Sequence, residues 1–199
     1  MKRMPFVANC LLLLLVSSYA SYGQNAKAEK PTGLVDNAKA IAQLEKVKAK
    51  FGRNQHGNIT SVFLGGRTTN DTLALLGKLP RLEKLEIHCA AKVTDEGLVH
   101  LSGLSGLKSL LFGYVKITDQ GMIHLRKLSN LEVLHLGIGF KAEFNDGGLV
   151  HLKNLKKLRK LDFSYTRVSD EAMEKLKAEL PECRISRTNS VPDSKRKSP

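Results

Sequence analysis

One pattern of apolar residues recurs along most of this chain and constrains its fold more than any other feature. The pattern is Leu-x-x-Leu-x-Leu, and its copies begin at Ile59, Leu82, Leu107, Leu131, Leu158 and Leu180. The copies are therefore 23, 25, 24, 27 and 22 residues apart. A unit this short cannot bury its own apolar face, so the units are expected to stack into one continuous core.

Each unit divides into a predicted strand and a predicted helix. Apolar residues that alternate with other residues send two side chains to one side of a strand, as at Val62/Leu64, Leu85/Ile87, Leu110/Phe112, Leu134/Leu136 and Leu161/Phe163. A polar pair then predicts a helix start, at Asn70-Asp71, Thr94-Asp95, Thr118-Asp119, Asn145-Asp146 and Ser169-Asp170. Apolar residues on one helical face follow, at Leu73/Leu76, Leu98/Leu101, Met122/Leu125, Leu149/Leu152 and Met173/Leu176.

Two segments carry a family resemblance, Thr94-Asp95-Glu96-Gly97-Leu98 and Thr118-Asp119-Gln120-Gly121-Met122. With the leucine pattern they resemble the cysteine-containing class of leucine-rich repeats, in the form found in exported bacterial proteins. The resemblance covers residues 58–185. It implies an α/β leucine-rich repeat solenoid, a short horseshoe with a parallel sheet on its concave side and short helices on its convex side. It also implies an interaction module rather than an enzyme.

The segments that flank the repeats have compositions of their own. Residues 1–23 combine a basic start with the apolar run 10–16, which is typical of a secretory signal peptide and too short for the roughly 20 residues of a membrane span. Residues 24–33 read as a flexible leader and residues 186–199 as a disordered basic tail. Between them, residues 34–57 are predicted to form an N-terminal cap with a helix over 36–51. We therefore expect an exported protein, periplasmic or secreted.

The formal net charge of +13, from 32 basic and 19 acidic residues, is spread along the chain. The four segments 1–23, 24–57, 58–185 and 186–199 carry +2, +4, +4 and +3. A nucleic-acid-binding protein would concentrate its basic residues in one stripe, so we expect no nucleic-acid partner. The dispersed charge favours at most a weak association with anionic envelope surfaces.

Residues that could carry chemistry are few. His100, His124 and His151 share one repeat position, but no further ligands accompany them at the spacing that a zinc site needs, so we expect no metal and no cofactor. Cys89 and Cys183 lie four repeats apart, beyond the reach of a disulfide, so we expect two free thiols.

The outward residues of the strands form the candidate partner-binding surface. Its middle row is predicted to comprise Phe63, Glu86, Leu111, His135, Asp162 and Arg184, with His88, Tyr114 and Tyr165 beside it. Apolar and aromatic groups among charges are typical of a surface that binds a protein or peptide, and we expect the protein to be a monomer. The alternative is a structural cell-envelope protein whose basic flanks hold it to anionic polymers or lipid head groups. In the longest unit, Phe144 is predicted to fill the core, and the role of Phe140 is left open.

Overall fold

The computed structural model of the protein describes residues 36–137, 144–163 and 166–187. The predicted signal peptide and leader, most of the predicted tail, Phe140 and Tyr165 lie outside the described residues. One seven-stranded sheet runs in sequence order through β1 (Lys50–Arg53), β2 (Ile59–Leu64), β3 (Lys84–His88), β4 (Ser109–Gly113), β5 (Val133–Leu136), β6 (Lys160–Phe163) and β7 (Arg184–Ser186).

A layer of short helices covers one side of this sheet. The helices are α1 (Ala38–Lys46), α2 (Asn70–Leu76), α3 (Asp95–Leu98), α4 (Asp119–Met122), α5 (Asp146–Leu149) and α6 (Asp170–Glu179). The 3-10 helices Val99–Gly103 and Ile123–Lys127 directly continue α3 and α4. The pattern of one strand and one helical segment per unit confirms the predicted α/β leucine-rich repeat solenoid, with an open sheet.

The core lies between the sheet and the helices. Strands β2 to β7 are parallel, and their inward residues stand in register from Val62 through Leu85, Leu110 and Leu134 to Leu161. All the predicted inward strand residues are buried, and so are the predicted inward helix residues except Met173, which is half-buried. Phe144 is also buried, with its ring 6.1 Å from that of Phe163, which confirms its predicted core role.

The predicted helix over 36–51 is wrong in its second half. Helix α1 ends at Lys46, and Lys48 adopts a left-handed backbone conformation with φ 64°. The chain then reverses into β1, which pairs antiparallel with β2. Phe51 therefore enters the core from a strand, opposite Val62, and not from a helical face. The competing interaction is the backbone pairing with β2, which a local helical pattern does not reveal.

The polar pairs at the helix starts connect neighbouring units. In α2 to α6 the first helical residue is an aspartate or asparagine, and the residue before it is the N-cap. In α2 the N-cap is Thr69, so the first polar pair is Thr69-Asn70 and not Asn70-Asp71 as predicted. Asp95 Oδ1 accepts a hydrogen bond from the Thr118 N–H at 2.9 Å, and Asp95 Oδ2 accepts one from the Thr118 hydroxyl at 2.6 Å. The pairs Asn70–Thr94, Asp119–Asn145 and Asp146–Ser169 repeat the bond to the backbone N–H. We call this row of inter-unit hydrogen bonds the polar ladder.

The glycine of the Thr-Asp-x-Gly-Leu segment makes room for the polar ladder. A Cβ atom on Gly121 would collide with Oδ1 of Asp95, and one on Gly97 would collide with Oδ1 of Asn70. A side chain at this position would therefore displace the carboxylate or amide that bonds to the next unit.

The C-terminal end of the polar ladder is closed by one arginine. In an interior unit, Val93 O accepts a hydrogen bond from the Lys116 N–H at 3.2 Å, and Asp95 Oδ1 accepts from the following unit as described. At the end of the array, Arg187 Nη1 donates to Val168 O at 2.6 Å and Arg187 Nη2 donates to Asp170 Oδ1. Its guanidinium thus replaces two backbone donors of a following unit. We call this arrangement the Arg187 cap.

Candidate binding surface on the concave face

The outward residues of β1 to β7 form the concave face. Its middle row runs through Phe63, Glu86, Leu111, His135 and Asp162, each opposite the next in the neighbouring strand, as predicted. These side chains form one row across the sheet because the parallel pairing aligns equivalent positions of neighbouring units.

The last position of the middle row is Ser186, so the placement of Arg184 there is wrong. Asp162 stands opposite Ser186, and Lys160 stands opposite Arg184. The Cys183 N–H donates to Leu180 O just as the Leu158 N–H donates to Leu155 O. Leu180 therefore occupies the position of Leu155 rather than that of Leu158, and the final strand begins later than the 22-residue spacing implied.

Aromatic rings lie at the N-terminal end of the concave face. The rings of Phe63 and His88 stack at 5.0 Å between centroids, and the ammonium of Lys50 lies 5.8 Å from the Phe63 centroid. Lys50 reaches this ring because β1 places it opposite Phe63. Lys50 was absent from the predicted surface because it fell within the predicted helix. The only sequence signal for it is the alternation around Phe51, with Lys50 and Gly52 on the opposite face.

Glu86 is the most strongly engaged charge of the concave face. Its carboxylate lies 2.8 Å from Lys84 Nζ and 3.4 Å from His88 Nε2, and its side chain is 13% exposed. The hydrogen bond with His88, followed by that with Lys84 and the positive charges, lowers the pKa of Glu86 to about 2 against the opposing effect of burial. Glu86 is therefore ionised and held in place at neutral pH.

The C-terminal half of the concave face carries His135, Asp162, Lys160 and Arg184. Burial, followed by the positive charge of Lys160, lowers the pKa of His135, although Asp162 and Glu86 oppose the shift. Asp162 accepts a hydrogen bond from the Ser186 hydroxyl at 2.8 Å. Lys160 and Arg184 are both exposed and lie opposite each other.

The remaining predicted residues lie in different places. Leu111 is half-buried at the centre of the middle row, and His88 lies at the C-terminal end of β3. Tyr114 follows β4, is 45% exposed and has a φ of 54°. Tyr165 lies outside the described residues, so the structure does not place it.

The groups considered for metal binding or redox chemistry lie apart from this row. Within 36–137, 144–163 and 166–187 no three His, Cys, Asp or Glu side chains are grouped so that they could hold a metal ion. Neither Cys89 nor Cys183 forms a disulfide, and burial raises the pKa of the Cys183 thiol to about 11. The three histidines His100, His124 and His151 lie in the helical layer or its connections. None of the helices in the described part of the chain is long and apolar enough to span a membrane.

Comparisons with known proteins support the fold alone. No protein-family model matches the sequence, and no curated protein matches it significantly. The C-terminal domain of tropomodulin from Caenorhabditis elegans matches 72% of this chain over 90% of its own length, with 14% identity and a TM-score of 0.51.

Other solved structures match this chain with lower TM-scores. The leucine-rich repeat ectodomain of the receptor kinase SOBIR1 from Arabidopsis thaliana is 14% identical and matches 78% of this chain and 94% of its own, with a TM-score of 0.45. Internalin C2 from Listeria monocytogenes is 16% identical over 85% of this chain and 96% of its own, with a TM-score of 0.41. The register-matched units give this chain the fold of a leucine-rich repeat solenoid, and the tropomodulin domain shares this overall arrangement.

Proposed function

We propose that this protein is a non-enzymatic, exported leucine-rich repeat module that binds a protein or peptide partner through its concave face. The observation that carries the proposal is the middle row, in which Phe63 and Leu111 present half-buried apolar side chains on a hydrogen-bonded sheet beside the ion-paired Glu86. Apolar anchors among polar groups on a pre-organised surface are what a protein-binding site requires.

The same geometry argues against hydrolytic chemistry on the concave face. Its carboxylates, Glu86 and Asp162, lie three strands apart, which corresponds to about 14 Å at the usual strand spacing. Pairs of carboxylates that share one reaction lie within about 10 Å of each other. Glu86 is moreover ionised through its contacts with Lys84 and His88, so it is unsuited to donate a proton at neutral pH.

The proposed export rests on residues 1–23, with their basic start and apolar run. Expression of the full chain in a bacterial host should yield a shortened protein outside the cytoplasm, cleaved after Ala20 or Gly23. Fractionation followed by intact-mass measurement tests this, and a full-length protein retained in the cytoplasm would contradict it.

The binding proposal is tested by affinity capture from the envelope fraction of the native organism. The bait variant is Phe63→Ala with Leu111→Ala, and its matched control is Val99→Ala with Val150→Ala, which removes two exposed apolar side chains from the helical side. We expect a partner that persists at moderate salt, is retained by the control and is lost with the concave-face variant.

Salt separates this function from the alternative of a structural envelope protein. Binding through the basic flanks would weaken steeply with ionic strength and would be insensitive to both apolar variants. That result would contradict concave-face binding and favour attachment to anionic polymers or lipid head groups.

A further inference from the structure

Two positive charges are placed side by side on the concave face. Lys160 and Arg184 are opposite each other in the adjacent parallel strands β6 and β7, and both are exposed. Neighbouring strands lie about 4.8 Å apart, so the two side chains leave the sheet close together. Like charges directly opposite each other destabilise a sheet, so the folded protein gains nothing from this pair.

Several other cations in or beside the strands contact a carboxylate, and Lys50 lies over the Phe63 ring. Lys84 contacts Glu86 at 2.8 Å, Lys108 contacts Glu83 at 3.1 Å, and Arg159 contacts Glu182 at 2.7 Å. Within the described ranges, the side chains of Lys160 and Arg184 form neither a hydrogen bond nor an ion pair. We call them the cation pair.

The surroundings of the cation pair supply one carboxylate for two cations. Asp162 projects from the same face of β6 two residues after Lys160, and it accepts a hydrogen bond from the Ser186 hydroxyl. On the other side of Lys160 stands Val133, which is half-buried and apolar. Leu111 lies in β4, two strands from Lys160 and two residues further along the strand direction, which places the two residues about 12 Å apart.

We propose that the partner of the concave face is an acidic protein segment, which binds the cation pair through carboxylates while an apolar side chain contacts Leu111. This inference rests on the proposed function and specifies the chemistry of the partner. A purely polyanionic ligand would use the cation pair but would gain nothing from Leu111 and Val133. An extended segment advances about 3.3 Å per residue, so its apolar anchor and its carboxylate should lie roughly three or four residues apart.

A library of random peptides displayed on phage tests the inference, with the protein as immobilised target. We expect the selected peptides to be enriched in Asp and Glu beside an apolar residue. Binding of these peptides should weaken about tenfold or more in the variant Lys160→Gln with Arg184→Gln, measured by fluorescence anisotropy at low salt. The matched control is Lys153→Gln with Lys177→Gln, which removes the same charge from the helical side and should change the affinity less than about twofold.

The other outcomes separate failure of the inference from failure of the proposed function. Selected peptides without acidic enrichment that still lose binding in the Phe63→Ala, Leu111→Ala variant would overturn the acidic partner and leave concave-face binding intact. If Lys160→Gln with Arg184→Gln and the control Lys153→Gln with Lys177→Gln weakened binding equally, the effect would be one of overall charge. That result would overturn the cation pair as a site. Selected peptides that bind equally to the concave-face variant would contradict the proposed function as well.

A binding measurement with a polyanion tests the remaining class of ligand, an anionic polymer. Dextran sulfate carries anionic groups without apolar side chains, so it should bind more weakly than the selected peptides and should not depend on Leu111. Tighter binding of dextran sulfate that depends on the cation pair would replace the acidic protein segment with an anionic polymer.

Discussion

The carboxylate of Glu86 gains its position from contacts on both sides along its own strand. Lys84 and His88 precede and follow it by two residues, so all three side chains project from the same face of β3. The two contacts of the carboxylate are therefore local to β3, while the Phe63 ring of β2 stacks on His88, and together these contacts keep one negative charge fixed on the concave face.

The substitution Glu86→Gln should reveal this device through its pH dependence. The folded-state pKa of about 2 lies below the ordinary value of 4.5 for a glutamate, so the stabilisation is fully present above about pH 4.5 and is lost as the pH falls towards 2. We expect Glu86→Gln to lower the free energy of unfolding at neutral pH by about 1–2 kcal/mol, with the difference shrinking over that interval. Urea unfolding of both proteins at a series of pH values measures this difference in the free energy of unfolding.

The control for this experiment is Glu83→Gln, which breaks the exposed pair with Lys108. Its two side chains are 49% and 51% exposed, so the expected cost is below about 1 kcal/mol. A loss for Glu86→Gln that stayed constant down to pH 2 would contradict the assigned role of the carboxylate.

At the scale of the structural elements, the polar ladder explains why a glycine follows the acidic residue of each interior unit. The carboxylate of Asp95 occupies the space beside Gly121, where it bonds to the backbone and hydroxyl of Thr118. The unit boundary therefore depends on a side chain from one unit and on the absence of a side chain in the next.

Replacing Gly121 by Ala should weaken the boundary between two units. The added methyl group would displace Asp95, so we expect the free energy of unfolding to fall by about 1–3 kcal/mol. The matched control is Gly103→Ala, because no atom lies within 4 Å of a Cβ built there. Chemical denaturation of both variants measures the effect, and equal stability of the two would refute the steric explanation.

The sequence predicts the strands and most of the concave face because alternation of side chains is a local property. Its failures occur where pairing between strands overrides a local pattern. The segment 180–185 fits the repeat pattern in a register that the pairing of β7 with β6 rules out, which moved Arg184 out of the middle row. Likewise the helical pattern over 36–51 gave no sign of the antiparallel pairing that brings Lys50 to Phe63.

The polar ladder was only half predictable for a related reason. A polar residue at a helix start has a local capping role, and Thr118 and Ser169 do accept hydrogen bonds from their own helices. Asp95 and Asp146, each directly after the N-cap residue of its own helix, instead bond to the next unit. That second role depends on the distance between stacked units, which the residues of one unit do not determine.

At the scale of the whole molecule, both ends of the core are closed by different means. At the N-terminal end, α1 buries Leu44, and Asp36 Oδ2 accepts a hydrogen bond from the Ile59 N–H at 2.6 Å. At the C-terminal end, the Arg187 cap satisfies the two acceptors that interior units satisfy through backbone N–H groups. In a stacked array each unit is stabilised by its neighbours, so a terminal unit depends on such a substitute.

The substitution Arg187→Lys should loosen the last unit even though it preserves the charge. An ammonium lacks the planar fork with which the guanidinium donates to Val168 and Asp170 together. We expect faster amide hydrogen exchange in α6 and β7 than in the native protein, with little change in β3 and β4. The control is Arg159→Gln, which removes an exposed arginine paired with Glu182. Uniform changes along the chain, or equal effects of both variants, would contradict the cap.

The Arg187 cap also limits the width of the concave face, and with it the length of a partner segment that the proposed binding could cover. A following unit would have to displace the guanidinium, so the row of parallel strands from β2 to β7 has a set length of five strand spacings, or about 24 Å. An extended peptide laid across the strands covers that distance with roughly seven residues. Under the proposed function, the concave face would contact only a short stretch of its partner, in which one or two anchors would supply most of the specificity.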